Sequence, residues 1–152
     1  MRRKPSVLRE RRDQRDRCQS LAALARRHGG YVRRDQALAL GVSDDAIRHR
    51  ISRGGRWQRV LPGLYATFRG ELSAQDRCRA AVLYAGAVLY AGADAQLTGP
   101  TALRQFRVRY LPDDDGCVHV LVAHATSRQN RGFVAFTRAT RLPRPWWRDG
   151  LP

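Results

Sequence analysis

Lysine is almost missing from this chain: of its 29 basic residues only Lys4 is one, the rest being arginine. Glutamate is nearly as scarce, with Glu10 and Glu71 alone. Cysteine is limited to Cys18, Cys78 and Cys117, an odd number without a CxxC pair. That argues against a disulfide framework and against a zinc knuckle. No apolar run is long enough to span a membrane. The longest, Ala80–Ala93, has fourteen residues and predicts a buried helix instead. The start, MRRKPSVLRERR, lacks the apolar core of a signal peptide. These absences predict a cytoplasmic protein with no membrane partner.

Catalytic signatures are missing too. The sequence has no phosphate-binding GKS or GKT loop, no GxSxG elbow and no plausible serine triad. His119 and His124 are not at a metal-pair spacing. Asp113-Asp114-Asp115-Gly116 lacks the alternation of a calcium loop and predicts a polar turn. A magnesium nuclease needs spaced acids and a lysine on paired strands, and neither is offered here. The expectation is no enzyme, no cofactor and no metal site.

What the chain has is positive charge. Its 29 basic residues face 13 acidic ones, a net charge of +16. Residues 1–17 hold 8 basic and 3 acidic residues, 18–68 hold 9 and 3, and 69–152 hold 12 and 7. Such a chain is drawn to polyanions. Arginine suits bidentate contact with phosphate and guanine, although GC-rich codon usage produces the same bias. At 152 residues the chain suits one compact domain, or two small ones sharing a core.

Residues 1–17 show no apolar period and predict a basic arm, or a helix only when docked on something. From Cys18 the pattern turns helical through Leu21, Ala22, Leu24 and Ala25, and Gly29-Gly30 stops it. Tyr31-Val32 is a brief extended piece. Asp35–Leu40 predicts a short helix with Gly41 just past its end. Ser43 then caps a second helix whose first turn holds Asp44 and Asp45. Two short helices around a glycine turn are the helix-turn-helix pattern. At about 100° per residue, Ile47 and Ile51 share an inward face. His49, Ser52 and Arg53 fall opposite it, with Arg48 and Arg50 on the flanks. RWQRVLPGLYATF then predicts a hairpin broken at Pro62-Gly63. This order describes a winged helix. His49, Ser52 and Arg53 are the candidate base readers. Arg33, Arg34, Arg48, Arg56 and Arg59 are the candidate phosphate contacts, with Gln58 beside them on the ribbon.

The stretch ARRHGGYVRRDQALALGVSDDAIRHRISRGGRWQRVLPGLYAT resembles the N-terminal winged-helix domain of AbiEi-like antitoxins of type IV toxin–antitoxin systems. The resemblance rests on Leu40, Gly41, Ser43, Ile47, Arg50, Gly54, Trp57, Gly63 and Tyr65. LTGPTALRQF and VHVLVAHATSRQNRGFVAFTRATRLP also look like that family. It implies a sequence-specific, double-stranded DNA-binding transcriptional regulator, at once antitoxin and autorepressor, associated with the nucleoid. A cognate toxin is the further partner it implies, and self-association stays open. Longer relatives continue past this point, so the chain reads as a short form without the C-terminal region. The hexapeptide AVLYAG also occurs twice in succession, at Ala81–Gly86 and Ala87–Gly92, which predicts a helix break at Gly86 or Gly92. The alternative from another class is a protein–protein module, a truncated antitoxin that holds a toxin or nuclease partner and touches DNA only non-specifically.

The remainder predicts a small α/β domain. Ser73 with Asp76 starts one helix, and Thr98-Gly99-Pro100 starts another that runs to about Phe106. Val118, Val120 and Val122 alternate with Cys117, His119 and Leu121 on a strand that pairs antiparallel with Phe133–Thr137. The fold class is thus α+β: a basic arm (1–17), a winged helix (18–70), a small α/β domain with an antiparallel strand pair (71–143) and a Pro/Trp tail (144–152). The tryptophans of that tail are expected to fold back or to meet another protein.

Overall fold

The computed structural model describes residues 7–86 and 95–152. The second copy of AVLYAG, with Gly92, therefore lies wholly outside the described residues. The fold is α+β, and the chain divides into two compact units. One is Met1–Arg59 with Tyr65–Arg69. The other is Val60–Leu64 with Gly70–Pro152.

In the first unit, helix α1 (Val7–Arg27) leads to strand β1 (Tyr31–Arg33), then helix α2 (Arg34–Ala39) and helix α3 (Asp44–Ile51). The hairpin β2 (Gln58–Leu61) and β3 (Leu64–Ala66) follows, in a sheet ordered β1-β3-β2. Leu21, Ala25, Val32, Ala37, Val42, Ile47, Trp57 and Tyr65 form the core, and Ile51 packs against it. Ile47 and Ile51 therefore face inward, as their spacing requires.

The local stops are glycine-made. At the end of α2, Gly41 stands at φ +77°; its N–H reaches Leu38 O (2.8 Å), and Val42 N–H reaches Ala37 O (3.1 Å). This is the paired closure that a left-handed residue after a helix permits. Gly29 and Gly30 close α1 the same way, onto Arg26 O (3.2 Å) and Ala25 O (2.8 Å). His28 is buried beside that stop with its Nδ1 unpartnered. Burial, with Arg27 and Arg33 nearby, pushes its pKa down and favours the neutral ring.

The basic arm is corrected in one respect. The helix starts at Val7, not at Cys18 where the apolar period begins. Arginine is a good helix former, and Arg9/Asp13, Arg12/Asp16 and Asp13/Arg17 stand four residues apart, a spacing that supports a helix without an apolar face.

In the second unit, helix α4 (Ala74–Tyr84) opens with a reciprocal cap. Ser73 Oγ accepts the Asp76 N–H (3.1 Å), and Asp76 Oδ2 accepts the Ser73 N–H (3.1 Å). It ends before Gly86, at φ +102°. Strand β4 (Ala95–Leu97), helix α5 (Gly99–Gln105), strand β5 (Val118–Ala123) and strand β6 (Val134–Ala139) complete the unit. Val118, Val120 and Val122 are buried, and the sheet order is β4-β5-β6. Tyr84 stacks on Phe136 with ring centroids 6.0 Å apart.

The strand pairing differs from expectation. The antiparallel pair is β4–β5, with Gln96 opposite Leu121, whereas β5 and β6 run parallel, with Val120 opposite Phe136. HATSRQNRG is rich in turn formers but long for a hairpin loop. It instead runs back beside β6. Arg138 holds it through Arg128 O (2.6 Å), and Asn130 Oδ1 accepts the Phe136 N–H (2.8 Å).

The C-terminal segment is docked within the second unit rather than extended. Leu151 is buried, Leu97 N–H bonds Pro152 O (2.8 Å), and Gln96 Nε2 bonds Pro143 O (2.7 Å). Trp146 nevertheless remains 78% exposed.

Candidate nucleic-acid interface

Helix α3 is the centre of the candidate site. Ser43 caps it, its Oγ accepting the Ala46 N–H at 3.2 Å. Asp44 and Asp45 occupy the first turn, where the helix dipole favours carboxylates. Each holds an arginine. Arg34 grips Asp44 in a fork, Nε to Oδ1 at 2.9 Å and Nη2 to Oδ2 at 2.6 Å. Arg48 reaches Asp45 Oδ1 at 2.6 Å. Arg33 is similarly committed to Asp35, whose carboxylate raises the guanidinium's pKa while its own is lowered in return. Three of the candidate phosphate contacts thus already have carboxylate partners.

The other end of α3 is different. Ser52 Oγ donates to His49 O (2.8 Å), and the chain then turns through Gly54-Gly55. Gly55 is there because nothing larger fits. A Cβ on it would stand 1.9 Å from Arg50 O. Trp57 N–H closes the turn onto that same oxygen at 2.9 Å. Arg69 clamps the turn from outside: its Nε donates to Gly55 O (2.6 Å), and its Nη2 donates to Ser52 O. Arg50 lies over the Trp57 ring, 5.3 Å from the centroid, and donates to Ala46 O (3.3 Å). Around this fixed turn, His49, Arg53, Arg56 and Arg59 are exposed and without a side-chain partner among the described residues.

The candidate residues therefore split. His49, Ser52, Arg53 and Arg56 gather at the C-terminal end of α3, while Gln58 and Arg59 continue onto β2. Arg33 and Arg34 stand at the start of α2, and Arg48 is tied to the acidic end of α3. The hairpin tip is not a free wing. Val60–Leu64 belongs to the second unit, where Leu61 and Leu64 are buried and Leu61 Cδ2 lies 3.3 Å from where a Gly132 Cβ would sit. At the hairpin's base, Arg56 and Arg59 are exposed. Sequence reasoning overlooked Arg69. It acts on carbonyls 14 and 17 residues away, and no spacing rule reaches that far.

Elsewhere, Asp115 accepts the Cys117 N–H (2.9 Å) and pairs with His119 Nε2 (2.8 Å). The Cys117 N–H, then His119, draw its pKa down. Among the described residues no three metal-ligating side chains cluster, and no helix is long and apolar enough to cross a membrane.

A comparison with curated proteins finds no match. A family described as "Transcriptional regulator, AbiEi antitoxin" matches residues 19–67, close to a third of the chain. The matched stretch runs from the middle of α1 through α2, α3 and the whole hairpin. Residues 19–67 are a domain of the AbiEi antitoxin family of transcriptional regulators.

Proposed function

We propose that the chain is a sequence-specific double-stranded DNA-binding regulator, acting as antitoxin and autorepressor of a toxin–antitoxin pair in the bacterial cytoplasm. In this reading α3 enters a major groove. His49, Ser52 and Arg53 read base edges, and Arg56, Gln58 and Arg59 hold the backbone. Arg33, Arg34 and Arg48 reach phosphate only by leaving Asp35, Asp44 and Asp45. Exposed ion pairs are worth about 0–1 kcal/mol, so exchanging a carboxylate for a phosphate is cheap for Arg34 and Arg48, while Arg33 is mostly buried. The observation that carries the reading is the rigid turn after α3 with four unpaired cationic or imidazole side chains around it. Mobility shifts against the gene's own promoter and a scrambled duplex, at two salt concentrations, test it. Preference for the promoter supports it; equal affinity would leave only charge-driven binding and overturn it.

One observation favours a second reading, a protein-binding role for the second unit. Phe106, Val108, Tyr110, Trp146 and Trp147 are exposed there, and Phe106 and Trp146 line one cavity of about 270 Å³ with Arg144. Aromatics with arginine around them typify protein-binding hot spots. Trp146→Ser with Tyr110→Ser should then abolish capture of a co-expressed toxin and leave promoter binding unchanged. Undiminished capture would remove this reading.

A further inference from the structure

The outer half of α1 contributes no buried side chain to its unit among the described residues. From Arg9 to Ser20 every residue is exposed, and the only apolar side chain is Cys18. A helix that polar on all sides cannot lie in a membrane interface, which needs an apolar face. Nor can it form a coiled-coil seam, which needs apolar residues every three to four positions.

Its charge is sorted by face. Wound at about 100° per residue, Arg11, Arg15, Arg26 and Arg12 fall within one arc of about 100°. Gln19 and Ala22 share the arc, and all six side chains are exposed. Glu10, Asp13 and Asp16 all lie outside it: Glu10 and Asp13 fall on the side that Leu21 and Leu24 turn to the core, and Asp16 borders the arc about 40° beyond Arg12. The stripe from Arg11 to Arg26 is about 22 Å long at 1.5 Å per residue. None of its arginines has a side-chain partner among the described residues. The helix also passes beside the site. Gln14 and Arg17 line one small cavity with Gly41, Ser43 and Ala46, the turn that introduces α3.

We propose that the exposed basic stripe along α1 is a second DNA-contacting element, which holds the phosphates flanking the α3 site through Arg11, Arg12, Arg15 and Arg26. The proposal rests on the DNA-binding reading above and extends it. Phosphates of one strand recur about every 3.4 Å along the duplex, so a 22 Å basic stripe is matched in length to several of them. The contact reads no bases. It adds affinity and salt dependence, not discrimination.

The test compares the full chain with an Arg11→Ala/Arg15→Ala/Arg26→Ala variant on promoter and scrambled duplexes, across a salt series. Three lost phosphate contacts should flatten the slope of log K against log salt by about 2–3. The promoter-to-scrambled affinity ratio should be unchanged. Arg9→Ala, on the acid-bearing face, is the matched control and should keep the full slope. Circular dichroism confirms that the helix persists in the variant. An unaltered slope in the triple variant overturns the proposal and leaves the DNA-binding reading intact. A wild-type ratio near one overturns that reading instead, while a flattened slope would still assign the contact to α1.

Discussion

The two ends of α3 are built from the same kinds of residue and do opposite things. At its N-terminal end, arginines meet carboxylates: Arg34 on Asp44 and Arg48 on Asp45, beside the Ser43 cap. At its C-terminal end no ion pair forms among the described residues, and an arginine caps carbonyls instead, Arg69 on Gly55 O and Ser52 O. The dipole accounts for the arrangement, since carboxylates suit the positive end and cations the negative one. A helix made this way neutralises its arginines at one end and leaves its cations unpaired at the other. Charge count alone does not show which arginines are free to meet a partner; Arg53, Arg56 and Arg59 have no carboxylate partner among the described residues, whereas Arg34 and Arg48 do.

The largest break in this comparison should come from Gly55→Ala. Its Cβ would meet the Arg50 backbone, which cannot swing away, so about 3 kcal/mol of stability should be lost in urea denaturation. Gly54→Ala meets nothing within 4 Å and should change stability by less than about 0.5 kcal/mol. Equal losses would show that the turn is not held by that close approach. Next, Arg53→Ala should reduce promoter discrimination by about 1–3 kcal/mol if its guanidinium reaches a base edge. Arg59→Ala should weaken promoter and scrambled duplexes alike and flatten the salt slope by about one. Indistinguishable variants would mean that α3 does not read sequence. Arg69→Ala should cost about 1–2 kcal/mol, because charged donors to two carbonyls are lost near the surface. An unchanged melting temperature would show the clamp to be idle. The smallest effect belongs to the acidic end. A double-mutant cycle on Arg34 and Asp44 should give a coupling of only about 0.2–1 kcal/mol, shrinking with salt. A larger coupling would mean that this pair anchors α2 to α3.

Legibility in the sequence followed the range of the interaction. Features set within about four residues were readable: the Ser43 and Ser73 caps, Gly41 after α2, and the inward face shared by Ile47 and Ile51. The valine alternation on β5 was readable for the same reason. The start of α1 was missed because charged residues at i, i+4 sustain a helix that apolar periodicity does not mark. β4 was missed because three residues carry too little pattern. The direction of β6 was missed because Asn130 and Arg138 decide it through contacts that no local rule encodes. Within the site, α3's outer residues were identifiable by helical phase. The commitment of Arg34 to a carboxylate ten residues away was not.

The parallel pairing of β5 and β6 has a kinetic consequence. A hairpin zips outward from its turn, each new bond fixing the next pair. β5 and β6 have no such starting point. The connection from 124 to 133 must first travel back along β5, about 20 Å, which lies within the roughly 33 Å reach of ten residues. The order of events should therefore be closure first and pairing second, with the chain entropy of that closure lost before any ladder bond repays it. Until then β5 carries the alternating valines of a strand with one open flank, the state in which one chain most readily pairs with another. During synthesis, the second unit passes through its aggregation-prone stage in the interval between the emergence of Val118 and the arrival of Arg138.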